Sequence, residues 1–380
     1  MRLRRTLWTV VVLIGMAAFV AGVLLDAPTS LAHAATATSD HAVFVQTNDP
    51  AGNSIAVFRR HADGTLSPAA IYRTGGKGGR ESGAGSDPLA SQGSLVFDAT
   101  DHLLFAVNAG SNTISVFGVQ GDTLHLHQVV SSGGSFPVGF ARMGSLLYVL
   151  NAGLAGNVSG FRIANGHLDP IKGSTRSLRL TNATPPFFLT SPAQVGFTST
   201  GGHLVVTTKE DDTVAVFSVN AHGLLSGQPV KNAVGGVPFA FTFDAAGHLA
   251  LVSAGTGSLG TYTINRDGTL TTVSAPVTNG QTAACWITRA RGFDYVANTG
   301  SGTISQYSVS RAGLVTLVNP TAASGIAGPT DLATAGGFLY NQGGLSSSVA
   351  VFAVGPGGAL TLIQTQAIPD GASQEGIVAS

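Results

Sequence analysis

Residues 103–117 read LLFAVNAGSNTISVF: an apolar run, an Asn-Ala-Gly turn, then a second short run closed by an aromatic residue. That closing element repeats along the chain. It returns as IAVF (55–58), ISVF (114–117), VSGF (158–161), VAVF (214–217), LGTY (259–262), ISQY (304–307) and VAVF (349–352), with starts spaced 59, 44, 56, 45, 45 and 45 residues apart. A glycine-containing turn running into leucine follows each aromatic, as in DGTL (63–66), NGHL (165–168), DGTL (267–270) and GGAL (357–360). Another apolar run precedes it, as in LLYVLNAG (146–153) and FDYVANTG (293–300). Each unit therefore holds about four short strands divided by Gly/Asn/Asp/Ser turns, which is the chemistry of hairpins. Units of about 45 residues built from four strands are propeller blades.

The predicted fold is all-β: a seven-bladed β-propeller of four-stranded antiparallel blades, one closed domain over residues 41–380. The first unit starts at HAVFVQT (41–47), which aligns with the second strand of the others, so its innermost strand is missing. The chain ends in EGIVAS (375–380), a strand of the missing type. The C-terminal strand is expected to complete the first blade and leave no open edge at the join.

Composition agrees and limits the partners. The chain has 51 glycines in 380 residues, 44% hydrophobic and only 10% charged residues, too apolar for a disordered chain. Lys+Arg and Asp+Glu are both 19. No cluster of basic residues follows the N-terminal segment, so nucleic acid is not an expected partner. The single Cys285 has no second cysteine to pair with.

The N-terminus reads as an address. Three arginines in MRLRR (1–5), a wholly apolar stretch at 7–25 and Ala32-His33-Ala34 have the layout of a secretory signal. Residues 1–34 are expected to be a signal peptide, with an uncleaved anchor as the rival, and 35–40 a short linker. The mature protein is expected outside the cytoplasm, in the periplasm, at the cell surface or secreted, as a monomer. Membrane contact would come only through the N-terminal segment.

Strand order places the candidate site. If strands run A to D outward, the D–A and B–C loops share one face of the ring. The two wide spacings arise from long D–A loops, 73–92 and 171–191, and long loops without structure of their own are usually functional. The same face carries the B–C turns at Asn108, Asn151, Asn298 and Asn341, which are also simply good turn chemistry. In the fourth unit that turn is Lys209-Glu210-Asp211-Asp212, a charged break in an uncharged series. A carboxylate such as Glu210 can activate water, and a cation such as Arg80 or Lys209 can stabilise an oxyanion. Gln92 and Gln194 fall near the channel mouth and, with Asn108, Asn298 and Asn341, are candidate substrate contacts. Most histidines, among them His102, His167, His203 and His248, fall in turns of the opposite face. Neither zinc spacing nor a calcium loop is present, and no metal or cofactor is expected.

The stretches SQGSLVFDATDHLLFAVNAGSNTISVF (91–117), SPAQVGF (191–197), GQTAACW (280–286), YVANTGSGTIS (295–305) and GPTDLA (328–333) resemble the lactonase-like seven-bladed propellers. These are relatives of bacterial phosphogluconolactonase and fungal carboxymuconate lactonizing enzyme, and the stretches are also similar to YVTN-type surface propellers. The resemblance spans essentially all of 41–380 and implies catalysis by His, Arg and Glu residues around the channel mouth. Here the inner strands open SFPVGF, SPAQV and GVPFAF without a histidine. Glu210 is the acidic position carried over, with Arg80 or Lys209 as its cationic partner. The expected function is hydrolysis or isomerisation of a small lactone, with a lactone or carbohydrate-like small molecule as the expected ligand; a non-catalytic envelope or cell-surface binding propeller is the alternative.

Overall fold

A computed structural model describes residues 41–369, 371 and 374–380. The expected signal peptide (1–34) and linker (35–40) lie outside the described residues. Among the described residues, no helix is long and apolar enough to cross a membrane.

Seven antiparallel sheets follow one another, each starting with an inner strand and ending with an exposed outer one. The inner strands of blades two to seven are Leu95–Asp98, Pro137–Met143, Pro192–Phe197, Pro238–Phe243, Ala284–Ala290 and Pro329–Ala335. Blade one takes its inner strand from the C-terminus. Ile377–Ala379 pairs antiparallel with Ala42–Gln46, matching Val43 to Ala379, Phe44 to Val378 and Val45 to Ile377. Each inner strand packs against the next, and the series returns from Ile377–Ala379 to Leu95–Asp98, so the ring is closed.

The repeated aromatic explains why blades stack. Phe58, Phe117, Phe161, Phe217, Tyr262, Tyr307 and Phe352 are all buried on the third strands. Each removes its ring from water between neighbouring sheets, worth roughly 2–3 kcal/mol apiece. Strands buried on both faces have little room for charge, which accounts for the thin charged fraction.

Turn chemistry fixes the join. In DGTL (63–66), Asp63 Oδ1 accepts from Thr65 N at 3.0 Å and from Thr65 Oγ1 at 2.6 Å, an Asx-type turn. Gly64 has φ +84° and abuts the Phe338 ring of blade seven, where a Cβ would collide. Only glycine meets both demands. Tyr340 of blade seven then donates from its hydroxyl to Gly64 O at 3.2 Å. The same clasp joins Tyr148 to Gly223 O (2.8 Å) and Tyr295 to Gly358 O (2.7 Å), always from one blade to the next.

Candidate active site at the plugged channel mouth

The two long loops lie on one face and hold each other. Ser82 and Phe187 form a parallel β-bridge, so the loop entering blade two and the loop entering blade four are paired. Earlier in the first loop, Asn48 of blade one donates from Nδ2 to Gly79 O (2.8 Å) and accepts from Gly79 N (3.0 Å). Gly78 sits so close to the Asn48 carbonyl that any side chain would be expelled.

The end of the first loop crosses the ring. Gln92 N donates to Ala193 O of blade four (2.9 Å), and Phe140 N of blade three donates to Gly93 O (3.0 Å). Trp286 Nε1 of blade six donates to Ser91 O at 2.8 Å. The Gln92 side chain donates to Ile287 O (2.9 Å) and accepts from Ile287 N (3.0 Å). Blades two and six are not neighbours, so residues 91–93 span the central channel and plug it.

Above this plug lies a cavity of about 500 Å³, within the range of small-molecule sites. Its walls are mainly apolar: Phe188, Leu189, Val237, Phe239, Trp286 and Leu345. Asp87 and Lys209 also line it. Three lining residues that are not glycine, Ala90, Val237 and Ala283, have φ of +46°, +58° and +53°. For β-branched Val237 this is a costly conformation, and such strain concentrates at functional sites. The inner strands of blades three to seven slip register near the mouth, between Pro137 and Gly139, Pro192 and Gln194, Pro238 and Phe241, Ala284 and Trp286, and Pro329 and Leu332. Bulges of this kind re-aim side chains at a sheet rim.

The electrostatics are dominated by burial. Lys209 is 5% exposed; its Nζ donates to Ala90 O at 2.6 Å and lies 5.0 Å from the centre of the Phe239 ring. Burial lowers its pKa, and the charges of Glu81 and Asp87 oppose that shift. Burial pushes Glu81 up to about 8, against the pull of Lys209 and of a 2.7 Å hydrogen bond from Ser191 Oγ. Asp87 reaches the cavity and is half-buried; burial raises its pKa, while a hydrogen bond with Glu375, the Lys209 charge and Ala90 N (2.7 Å) hold it down. Glu375 is fully buried and lifted well above the carboxylate range, first by burial and then by the Asp87 charge. Burial likewise brings Asp331 to about 7. The mouth thus holds one buried ammonium and several acids, with Asp87 the one facing the cavity.

Of the residues named from sequence, Lys209 lines this cavity and Glu210 and Arg80 do not. The Glu210 carboxylate accepts from Thr181 N at 3.0 Å and from the Thr181 hydroxyl, anchoring the second long loop. Arg80 is exposed and donates to Ala84 O (3.2 Å) and Gly85 O (2.7 Å) of its own loop. Gln92 is the channel clasp. Gln194 makes a similar clasp with Phe241 of blade five, 3.1 Å to its O and 2.6 Å from its N. Asn108 and Asn298 are buried and brace their turns, donating to Thr113 and Ser115, and to Thr303 and Ser305, respectively. Asn341 donates to Thr330 O and Asp331 O. Asp87, Asp331 and Glu375 were not among the sequence candidates. Asp87 stands in SDPL (86–89), where Asp-Pro reads as an ordinary turn, and its only warning sign was the length of its loop.

The profile of the "Lactonase, 7-bladed beta-propeller" family matches residues 94–286. No curated protein sequence matches the chain significantly. Among solved structures, the periplasmic gluconolactonase of Pseudomonas aeruginosa superposes with a TM-score of 0.70 at 18% identity, covering 89% of this chain and 98% of its own. A Lactobacillus plantarum protein gives 0.70 at 18% identity over 88% and 98%. A Bacteroides fragilis protein, named as a candidate 6-phosphogluconolactonase, gives 0.68 at 18% over 90% and 99%. At these identities the likeness speaks for the ring alone, but the profile covers half of the sequence and the seven closed blades agree with it: the chain belongs to the lactonase family of seven-bladed β-propellers.

Proposed function

We propose that the protein hydrolyses a small lactone in the cavity above the plug, with Asp87 as general base and Lys209 facing the oxyanion. The observation that carries this reading is that a carboxylate and an ammonium line the same apolar cavity. Burial raises the pKa of Asp87 and so strengthens it as a base, while the Glu375 hydrogen bond and the Lys209 charge favour its ionised form. In the reaction, a water gives a proton to Asp87 as its oxygen bonds to the carbonyl carbon. The carbonyl electron pair moves onto oxygen, next to the Lys209 ammonium, where low polarity magnifies the attraction. Collapse restores the C=O bond and breaks the ring C–O bond. The proton on Asp87 passes to the departing alkoxide, so one water is consumed and one hydroxy acid is formed.

Export is part of the same proposal. The signal-like layout of residues 1–34 supports it, as does the periplasmic location of the Pseudomonas aeruginosa neighbour. The experiment is lactone turnover by the purified protein and by Asp87→Asn, Lys209→Met and Glu210→Gln, with folding checked by thermal melting. Asp87→Asn should lose about 10²–10⁴-fold in kcat, and Lys209→Met about 10²–10³-fold. Turnover lost in Glu210→Gln but kept in Asp87→Asn would move the base to Glu210. A folded protein inert on a broad lactone panel would be a binding propeller instead.

A further inference from the structure

Resting on that reading, we infer the substrate class: an uncharged lactone carrying a hydrocarbon substituent, not a phosphorylated or polyhydroxylated sugar lactone. Charge disfavours a phosphate. A phosphorylated ligand needs clustered cations, commonly a bidentate arginine. Among the described residues, Lys209 is the only Lys or Arg in the lining. Its Nζ is already bonded to Ala90 O, and Glu81 and Asp87 act on it electrostatically. Asp87 lines the same cavity as that ammonium, so a dianion would find no cation that is not already opposed by a carboxylate.

The lining disfavours a sugar. A polyhydroxylated ring needs several convergent hydrogen-bonding side chains, whereas the lining is mostly Phe188, Leu189, Val237, Phe239, Trp286 and Leu345. The Trp286 indole N–H is spent on Ser91 O and the Thr299 hydroxyl donates to Pro329 O (2.8 Å), so beyond Asp87 and Lys209 the remaining lining hydroxyl is Ser86. The apolar character continues outward. Leu189 and Leu345 belong to the lining yet are 49% and 69% exposed, so the rim itself is hydrocarbon open to solvent. Exposed apolar surface that runs into an apolar cavity marks a binding site. The lactone carbonyl would lie at Asp87 and Lys209, with the substituent running along Phe239 and Trp286 toward Leu345.

The test compares δ-decalactone, δ-valerolactone and 6-phosphogluconolactone. Each methylene taken from water is worth about fourfold, so five half-buried methylenes predict kcat/KM on the order of 30-fold higher for δ-decalactone than for δ-valerolactone. The phosphorylated lactone should be poorer than both. Binding is read separately through Trp286 emission in a Trp8→Phe background, where it is the sole indole. Leu345→Lys, at an exposed position, should weaken δ-decalactone about tenfold without disturbing the fold. Preference for the phosphorylated substrate would overturn the inference while leaving the lactonase reading intact. Binding of δ-decalactone, sensitive to Leu345→Lys but with no lactone turned over, would support the ligand class and sink the hydrolytic reading. Absence of both binding and turnover of δ-decalactone would overturn the inference.

Discussion

Gln92 and Ile287, 195 residues apart in sequence, exchange two hydrogen bonds across the middle of the ring, 2.9 Å from Nε2 to O and 3.0 Å from N to Oε1. The pair closes the channel and sets the floor beneath Trp286, whose indole is bonded to the adjacent Ser91. Gln92→Ala should therefore do two things. It should cost about 1–3 kcal/mol in urea unfolding, because a part-buried donor and acceptor lose their partner. It should also alter Trp286 emission and speed amide exchange at Ile287, showing that the plug has loosened. Unchanged exchange at Ile287 would mean that the backbone contacts of residues 91–93 hold the plug alone.

The closing strand is expected to matter more than its length implies. Removal of residues 377–380 takes away the pairing with Val43–Val45, the hydrogen bond from Ala42 N to Ser380 Oγ (2.7 Å) and those from the Arg60 guanidinium to Ser380 O (2.9 and 3.2 Å). It also exposes the edge of a fully buried strand. The loss should be about 3 kcal/mol or more, with a broadened transition. A truncated protein that melted like the full chain would show that the ring does not depend on this join.

Tyrosine clasps offer a finer test of how blades cohere. Tyr148, Tyr295 and Tyr340 each donate to a turn carbonyl of the following blade. Phenylalanine at any one should cost about 0.5–1.5 kcal/mol. The three bonds share no partner, so the triple variant should lose close to the sum of the single losses. A triple variant with wild-type stability would reduce the clasps to by-products of packing.

The fold was legible because its cause is periodic and local. Phe58 and its six counterparts repeat in sequence, and the missing first strand of the first unit was visible in HAVFVQT beside a surplus EGIVAS. The shared face of the long loops followed from strand order, and the Ser82–Phe187 bridge confirms it. Of the residues that line the cavity, the sequence had singled out Lys209, whose charge broke the repeat. Asp87 sits in SDPL, which looks like a solvated turn, and Glu375 opens EGIVAS, which reads as the closing strand and carries no sign of a site; only long-range packing brings the two carboxyls together. Conversely, Asn108 and Asn298 looked like candidate contacts, but their amides brace the adjoining strand, a role that turn composition does not distinguish from ligand binding.

Buried acids make stability depend on pH in a definite direction. Glu81 is raised from 4.5 to about 8, Asp331 from 3.8 to about 7 and Asp294 from 3.8 to about 6, in each case first by burial. The folded state therefore holds these protons more tightly than the unfolded chain. Their contribution is complete below about pH 4, near the unfolded values, and is lost as pH rises through 6, 7 and 8. Glu375 and Asp87, raised in the same sense, reinforce the trend. Lys209, lowered by burial, works in the opposite sense: its contribution is present above its unfolded value of 10.5 and is lost as pH falls through its folded value. The melting temperature should accordingly fall between pH 5 and pH 8.5. Glu81→Gln keeps a partner for Ser191 and removes the titration, so it should flatten the upper part of that fall. Asp331→Asn should flatten the middle. For either acid, a tenfold tighter hold on the proton in the folded state corresponds to about 1.4 kcal/mol. A wild-type protein that grew more stable from pH 5 to 8.5 would show that these carboxyls are ionised and paired in the native state.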